Sequence, residues 1–102
     1  MEKISVLMNC YNSESYLKKA IDSVYSQTYD NWEIIFIDNC STDNSARIAK
    51  DYDKRLKYIK TKKNIALGSA RKFGIKYCSN FIAILDTDDI WVENALEELY
   101  NS

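Results

Sequence analysis

Short apolar runs alternate along this chain with stretches in which apolar residues recur at helical spacing. The apolar runs predict strands at residues 4–8, 32–37, 56–59 and 81–85. The periodic stretches predict a helix after each strand: one carrying Leu17, Ala20, Ile21 and Val24, then helices at residues 41–52, 66–77 and 92–100. Residues 34–37 are apolar on both faces, which is typical of a parallel sheet with helices above and below it. This order predicts an α/β fold with three layers, α/β/α, and a mostly parallel sheet.

Polar residues stand at the carboxyl ends of the predicted strands. They occupy residues 9–12, 38–39, 60–64 and 86–89. In an open α/β sheet, ligands bind beyond these ends, where the strand order reverses. If the order is 3-2-1-4, the first and fourth strands flank that point, and Asp38 and Asp86 lie on either side of the loop that carries Tyr11. The sequence therefore predicts a crevice with acids on both sides and an aromatic ring between them.

Three carboxylates follow the fourth predicted strand within four residues, at Asp86, Asp88 and Asp89. Acids this close repel one another, and a divalent cation would offset the repulsion. Mg²⁺ and Mn²⁺ prefer oxygen ligands and often share their sites with phosphates. We therefore expect a metal site that holds a phosphate-bearing ligand. The alternative is an acidic turn in which Asp88 or Asp89 caps a helix that begins near Trp91.

Other polar residues at the strand ends admit two interpretations each. Asp38 and Asn39 can bind a base edge or a ribose, or can form a loop in which Ser41 or Thr42 caps the next helix. Tyr11 can stack on a base, or be one of many surface tyrosines. A guanidinium at Arg71 suits a phosphate or a base edge, but it also suits a solvated helix face. Asn12 or Ser13 is the expected cap of the first helix.

Composition excludes several classes of function. Fourteen basic and fifteen acidic residues give a net charge of −1, which offers no electrostatic case for nucleic acid. No apolar run approaches the about 20 residues of a membrane span. The chain has no histidine, so Ser-His-Asp and Cys-His catalysis and His-ligated zinc are excluded. Neither a dinucleotide fingerprint nor a P-loop is present. Three scattered cysteines and the lack of a signal-peptide pattern predict reduced thiols and a cytoplasmic location.

Several segments occur in an order that is specific as a set. They are Tyr11-Asn12, SVYSQTY at 23–29, WEIIFIDN at 32–39, STD at 41–43, the glycine-bearing stretch 64–74 and LDTDDIW at 85–91. The chain resembles the N-terminal half of family 2 glycosyltransferases with the GT-A fold, over essentially its whole length. The resemblance implies metal-dependent transfer of a sugar from a nucleotide-sugar donor, most often a UDP-sugar, usually with inversion. A saccharide or lipid-linked acceptor and a role in cell-surface polysaccharide synthesis are implied with it.

The resemblance also implies roles for individual residues. Asn9, Tyr11, Asp38 and Asn39 would hold the base, and Arg71 would lie near the base and phosphate. The family's D-x-D motif matches Asp86, Thr87 and Asp88, which would contact the ribose and the metal-bound diphosphate. Asp88 is then the first metal ligand, with Asp89 as the contender. Asn39 stands where a second acid is frequent, which could alter base preference, and Asn9 stands where proline is frequent.

Length limits what this chain can do alone. A complete GT-A domain is considerably longer, so we expect residues 1–102 to be a truncated donor-binding part without the acceptor half and the general base. The chain alone should be inactive, and its remainder could be membrane-associated. Truncation would leave the fourth strand as an open edge that favours self-association. The competing interpretation is a non-catalytic nucleotide-binding module, or a Mg²⁺-binding module similar to receiver domains.

Overall fold

A computed structural model describes residues 2–101. The elements alternate strictly between strand and helix, as the apolar pattern predicts. The strands are β1 (Ile4–Cys10), β2 (Trp32–Asp38), β3 (Leu56–Lys60) and β4 (Phe81–Ile84), and the helices are α1 (Glu14–Tyr25), α2 (Ser45–Lys50), α3 (Leu67–Ile75) and α4 (Ala95–Asn101). None of the helices in this part of the chain has the length and apolar character needed to span a membrane.

The four strands form one parallel sheet with the order β3-β2-β1-β4, which confirms the predicted order. β1 lies between β2 and β4, and Cys10 is level with Asp38 at the end of the β1–β2 pairing. β1 and β2 are buried almost throughout, because helices cover both faces of the sheet there. The chain thus has the predicted three-layer α/β/α architecture.

The two faces of the sheet carry helices of different number. The larger core joins Val6, Met8 and Phe36 to apolar residues of α1, α2 and α4. On the other face, α3 packs on Leu7 and Ile37. A close approach is possible here because α3 has Gly74 at the crossing, with no side chain to hold it away. This close contact sets the height of α3 above the carboxyl ends of β1 and β2.

Two helices begin later than the sequence predicts. α4 begins at Ala95 and not at residue 92, because the backbone before it is bound by Gln27 in the loop after α1. The Gln27 side chain donates to the Val92 carbonyl at 2.8 Å and accepts from the Leu96 amide at 2.9 Å. The interpretation of Asp88 or Asp89 as a cap of this helix is therefore wrong. α2 begins at Ser45, and its N-cap position is Asn44 and not Ser41.

The two edges of the sheet differ in chemistry. β3 carries Lys57 and Lys60 along its edge, which discourages pairing with another strand. β4 carries none, and its Ile82 and Ile84 are 38% and 49% exposed because α3 covers β1 and β2 and not β4. Cys10, Cys40 and Cys78 are free thiols.

Candidate functional site

The acids after β4 form a tight turn at the carboxyl end of the sheet. The Asp89 amide donates to the Asp86 carbonyl at 3.0 Å, which closes the turn. Asp86, Asp88 and Asp89 are exposed, and one carboxylate oxygen from each lies within 4.8 Å of the others. Three hard anionic oxygens at this spacing can serve as ligands for Mg²⁺ or Mn²⁺, and the donor set fits either ion. We call residues 86–89 the acid turn.

Thr87 holds the acid turn from inside. Its side chain is buried, whereas the three acids are exposed, and its hydroxyl lies 2.7 Å from the hydroxyl of Ser13. The Ser13 amide in turn donates to the Ser45 hydroxyl at 2.9 Å. This chain of hydroxyls fixes the acid turn to the starts of α1 and α2. The Thr87 hydroxyl is therefore bonded inside the protein, while the three acids of the acid turn are exposed.

Arg71 of α3 reaches the acid turn from the opposite face of the sheet. Its Nη2 lies 3.4 Å from Asp86 Oδ1, and both side chains are partly exposed, so this ion pair contributes little to stability. The Arg71 Nε is buried and has no hydrogen-bond partner among residues 2–101. A buried N–H without a partner is unusual, since it costs about 1–3 kcal/mol. Such a group indicates a place that a ligand or water fills.

Asn9 presents the matching acceptor. Its Oδ1 is likewise buried and without a partner in the described part of the chain. Asn9 follows Leu7 by two residues on β1, so its side chain points to the same face of the sheet as Leu7, the face that α3 covers. Arg71 precedes Gly74 by one helical turn, and Gly74 crosses over Leu7. The two unpartnered atoms therefore belong to one region, between β1 and the start of α3.

Tyr11 lies just beyond the end of β1, and its ring is 53% exposed. The following residue, Asn12, has a positive φ of 51°, which turns the chain sharply before α1. The Asn12 side chain does not cap α1. Its Oδ1 accepts instead from the amides of Thr42 at 2.7 Å and Asp43 at 3.3 Å. Of the two predicted caps, Ser13 occupies the N-cap position of α1, without a side-chain cap hydrogen bond, and Asn12 instead joins the loops after β1 and β2. An exposed ring on a fixed loop can stack on a ligand.

Asp38 is positioned at the predicted strand end but is 1% exposed. Its Oδ1 accepts from the Ser41 amide at 2.9 Å, and its Oδ2 accepts from the Tyr58 hydroxyl. Burial and the hydrogen bond to Asp38 raise the pKa of Tyr58 above its ordinary value, so the phenol stays a donor. The structure thus engages both carboxylate oxygens in holding the β2 end. The strand order β2-β1-β4 puts Asp38 and the acid turn on either side of the end of β1.

Asn39 is also buried, and its side chain binds the main chain of the loop before α3. Its Nδ2 donates to the Ile65 carbonyl at 2.6 Å, and its Oδ1 accepts from the Ile65 amide at 2.9 Å. Nothing in the sequence indicates this contact, since the two residues are 26 positions apart. Of the residues predicted from sequence, the structure brings Arg71 into contact with the acid turn, and it leaves Asn9 and Arg71 each with a buried polar atom that has no partner among residues 2–101.

The family of the chain follows from a comparison with known proteins. The family model described as glycosyl transferase family 2 matches residues 5–102. The chain belongs to this family. The match includes Asn9, Tyr11, Arg71 and the acid turn. The predicted family is therefore confirmed. The family assignment does not favour the competing receiver-like interpretation.

Named relatives of this glycosyltransferase-family chain come from several bacteria. It is 40% identical over 96 residues to the UDP-Glc:alpha-D-GlcNAc-diphosphoundecaprenol beta-1,3-glucosyltransferase WfgD of Escherichia coli, covering 92% of this chain and 38% of that protein. It is 39% identical over 101 residues to the putative glycosyltransferase EpsE of Bacillus subtilis, covering 94% of this chain and 36% of that protein. The chain thus spans little more than a third of the length of these relatives.

Solved structures confirm the GT-A architecture. Staphylococcus aureus TarS 1–349 in complex with UDP superposes with a TM-score of 0.89 at 26% identity, over 98% of this chain and 31% of that one. The mannosyltransferase PcManGT of Pyrobaculum calidifontis, in complex with GDP-Man and Mn²⁺, matches in fold with a TM-score of 0.77 at 22% identity, over 86% of this chain and 28% of that one. The family 2 chain therefore has the α/β/α fold of GT-A glycosyltransferases.

Proposed function

We propose that this chain is the donor-binding part of a family 2 glycosyltransferase that takes a nucleotide-diphosphate sugar, most simply a UDP-sugar. The observation that carries the proposal is the exposed acid turn with Arg71 against it, together with a buried donor on Arg71 and a buried acceptor on Asn9 that have no partner among residues 2–101. Transfer would go to a saccharide or lipid-linked acceptor, with inversion, in cell-surface polysaccharide synthesis. The name of WfgD, with its UDP-Glc donor and undecaprenol-linked acceptor, supports this choice of substrates.

The base would be held between β1 and the start of α3. The Asn9 Oδ1 is an acceptor and the Arg71 Nε is a donor. Together they complement a base edge in which an N–H stands beside a carbonyl, as in uracil. The exposed ring of Tyr11 is positioned to stack on the base, and such contacts contribute about 1–3 kcal/mol. TarS was solved with UDP and with UDP-GlcNAc, which supports uracil as the base.

The diphosphate and ribose would lie over the acid turn. Asp88 is the proposed first ligand of Mg²⁺ or Mn²⁺, with Asp86 and Asp89 beside it. A bound divalent ion would neutralise charge on the diphosphate leaving group. Thr87 keeps the carboxylates facing outward through its bond to Ser13. The Mn²⁺ in PcManGT supports a metal at such a site by analogy of fold alone.

The acceptor site and the general base would come from outside residues 1–102. A general base must lie within hydrogen-bonding reach of the acceptor hydroxyl, and the carboxylates of the crevice are assigned to metal and ribose. We therefore expect no transferase rate above background from this chain alone. The three free thiols support a reducing, cytoplasmic compartment.

Calorimetric titration with UDP, with and without Mn²⁺, tests the donor site directly. The parent chain should bind UDP only with Mn²⁺, and Asp88→Asn should weaken that binding by at least about tenfold, the effect of one lost charged contact. Asp51→Asn, a change of the same kind at an exposed acid at the C-cap position of α2, should bind as the parent does. Equal affinity in Asp88→Asn, or no Mn²⁺-dependent binding of UDP, GDP or other nucleoside diphosphates, would refute the proposal.

The open edge at β4 is proposed to pair with β4 of a second copy. Antiparallel pairing about a two-fold axis would bury Ile82 and Ile84 of both copies. The lysines on β3 make the other edge unsuitable.

Light scattering after size-exclusion chromatography tests this pairing. The parent should have twice the mass of one chain at micromolar concentration, and Ile82→Lys should be monomeric. Tyr16→Lys adds the same charge at an exposed position on α1 and should remain dimeric. A monomeric parent, or a dimer that survives Ile82→Lys, would exclude β4 pairing.

A further inference from the structure

The contact between Asn39 and Ile65, which we call the amide clasp, uses nearly all the hydrogen-bonding capacity of one side chain. Asn39 Nδ2 donates to the Ile65 carbonyl at 2.6 Å, and Asn39 Oδ1 accepts from the Ile65 amide at 2.9 Å. The Thr61 hydroxyl lies 3.3 Å from Oδ1 and 3.4 Å from the Asp38 carbonyl, and its one proton can be donated to either. Asn39 is only 7% exposed, so its Oδ1 is held in these contacts inside the protein. The acceptor of this side chain is therefore not presented to a base.

The amide clasp fixes the entry to α3. Ile65 lies two residues before the first residue of the helix, Leu67, and the N-cap position, Ala66, has no side chain that can cap. The start of α3 thus depends on how its preceding loop is held. Arg71 lies in the second turn of α3, and its guanidinium reaches Asp86 across the crevice. A displacement of Ile65 would therefore move Arg71.

We propose that Asn39 is a positioning residue that places Arg71 in the donor site through the amide clasp and does not itself contact the base. The inference rests on the proposed function for Arg71. The clasp needs a donor and an acceptor on one side chain. A carboxylate at position 39 could accept from the Ile65 amide, but it would set a negative oxygen against the Ile65 carbonyl. An amide is therefore the required group here.

The charges around position 39 strengthen this requirement. Asp38 is adjacent and buried, so a second carboxylate would add like-charge repulsion in a desolvated place. Both effects would raise the pKa of a carboxyl group at position 39. On protonation, such a carboxyl regains an O–H donor and can restore the contact with the Ile65 carbonyl. The titratable groups near position 39 are Asp38, Tyr58, Cys10, Cys40, Lys60, Lys62 and Lys63.

The test compares Asn39→Asp with Asn80→Asp, an isosteric change at an exposed position at the opposite end of the sheet. Nitrogen-15 NMR reports the Ile65 amide and the Arg71 Nε–H directly, without nucleotide. At pH 7.5 both signals should shift or broaden in Asn39→Asp, and both should return toward the parent positions at pH 5. The parent and Asn80→Asp, followed over the same range, account for titration of the surrounding groups.

Calorimetry with UDP and Mn²⁺ adds the functional readout. Asn39→Asp should bind about tenfold more weakly than the parent at pH 7.5, for the loss of one buried hydrogen bond, and this ratio should shrink at pH 5. Asn39→Ala removes the clasp without adding charge. It should displace the Ile65 amide and Arg71 Nε–H signals at both pH values, without a return toward the parent positions at pH 5. If Asn39→Asp does not fold, this variant tests the clasp in its place.

Two results would overturn the inference. One is an Arg71 Nε–H signal that stays at the parent position in both variants of residue 39. The other is a displaced signal with unchanged UDP affinity. If the parent itself binds no nucleotide, the proposed donor site fails, while coupled displacement of Ile65 and Arg71 with recovery at pH 5 still supports the clasp as the element that positions Arg71.

Discussion

Replacement of Gly74 by alanine should lift α3 from the sheet. A Cβ at this position would stand 2.5 Å from Leu7 Cδ1 and 2.9 Å from Ile37 Cγ1. Both of these side chains are fully buried, so neither can swing into solvent. The alanine can be accommodated only if the helix moves away or the two side chains leave their preferred rotamers. Gly68, also on α3, has nothing within 4 Å of the same added atom.

The expected magnitude follows from two opposing terms. Glycine to alanine within a helix gains about 1 kcal/mol of helix propensity. Overpacking of a dense core costs about 1–3 kcal/mol, and two contacts below 3.0 Å place Gly74 toward the upper end. Gly74→Ala should therefore be net destabilising by about 1–2 kcal/mol. Gly68→Ala should be neutral or more stable by up to about 1 kcal/mol, since it gains propensity without a clash.

Thermal and urea unfolding measure the difference. For a domain of this size, 1 kcal/mol corresponds to about 4–8 °C, so Gly74→Ala should lower the Tm by about 4–16 °C. Equal m-values in urea would show that both variants unfold from the same compact state. If Gly74→Ala unfolds at or above the Tm of Gly68→Ala, α3 does not sit as close to β1 and β2 as described. The inferred region between β1 and α3, which contains Asn9 and Arg71, would then also be wrong.

Two further perturbations test contacts that hold the sheet and its loops. Desolvation raises the pKa of Glu33, but hydrogen bonds from Lys57 and Ser5, both at 2.8 Å, outweigh it, and the pKa lies below its ordinary value of 4.5. Because this pKa is lowered on folding, its stabilising effect is present above about pH 4.5 and is lost as pH falls through the folded-state pKa. Glu33→Gln should thus cost about 1–2 kcal/mol at pH 7 and progressively less in acid, by urea unfolding at each pH. Asn12→Ala loses the bond to the Thr42 amide and replaces a residue that tolerates positive φ by one that does not, so it should cost about 2 kcal/mol. Asn12→Gly loses the same bond without the backbone strain and should cost about 1 kcal/mol.

Matched controls separate these effects from general damage. Glu14→Gln removes an exposed acid on α1 and controls for the loss of one negative charge. A stability gap for Glu33→Gln that persists unchanged to pH 3 would contradict the lowered pKa. For Asn12, the test is the relative stability of the two variants. An alanine variant as stable as the glycine variant would mean that the backbone at residue 12 is not left-handed.

The order of elements and their pairing were accessible from sequence because the signals are local. An apolar run such as 34–37 carries two-sided burial within a few adjacent residues, and alternation of such runs with helical periodicity limits the topology to a parallel sheet. The acid turn was accessible for the same reason, since Asp86, Asp88 and Asp89 are neighbours in the chain. The segments that carry the family resemblance are also short and contiguous.

Helix starts and side-chain roles were decided only by contacts between distant residues. Gln27 delays α4 by binding backbone 65 and 69 residues away, and no local signal shows this. Asn39 looks like a base ligand in its own segment, but the folded chain engages it with Ile65. Asn9 and Arg71 each keep a buried polar atom without a partner among residues 2–101, and Gly74 lets the helix that carries Arg71 approach the strand that carries Asn9. A sequence fixes which groups are available, while packing across the sheet decides which of them are already bonded and which remain open to a ligand.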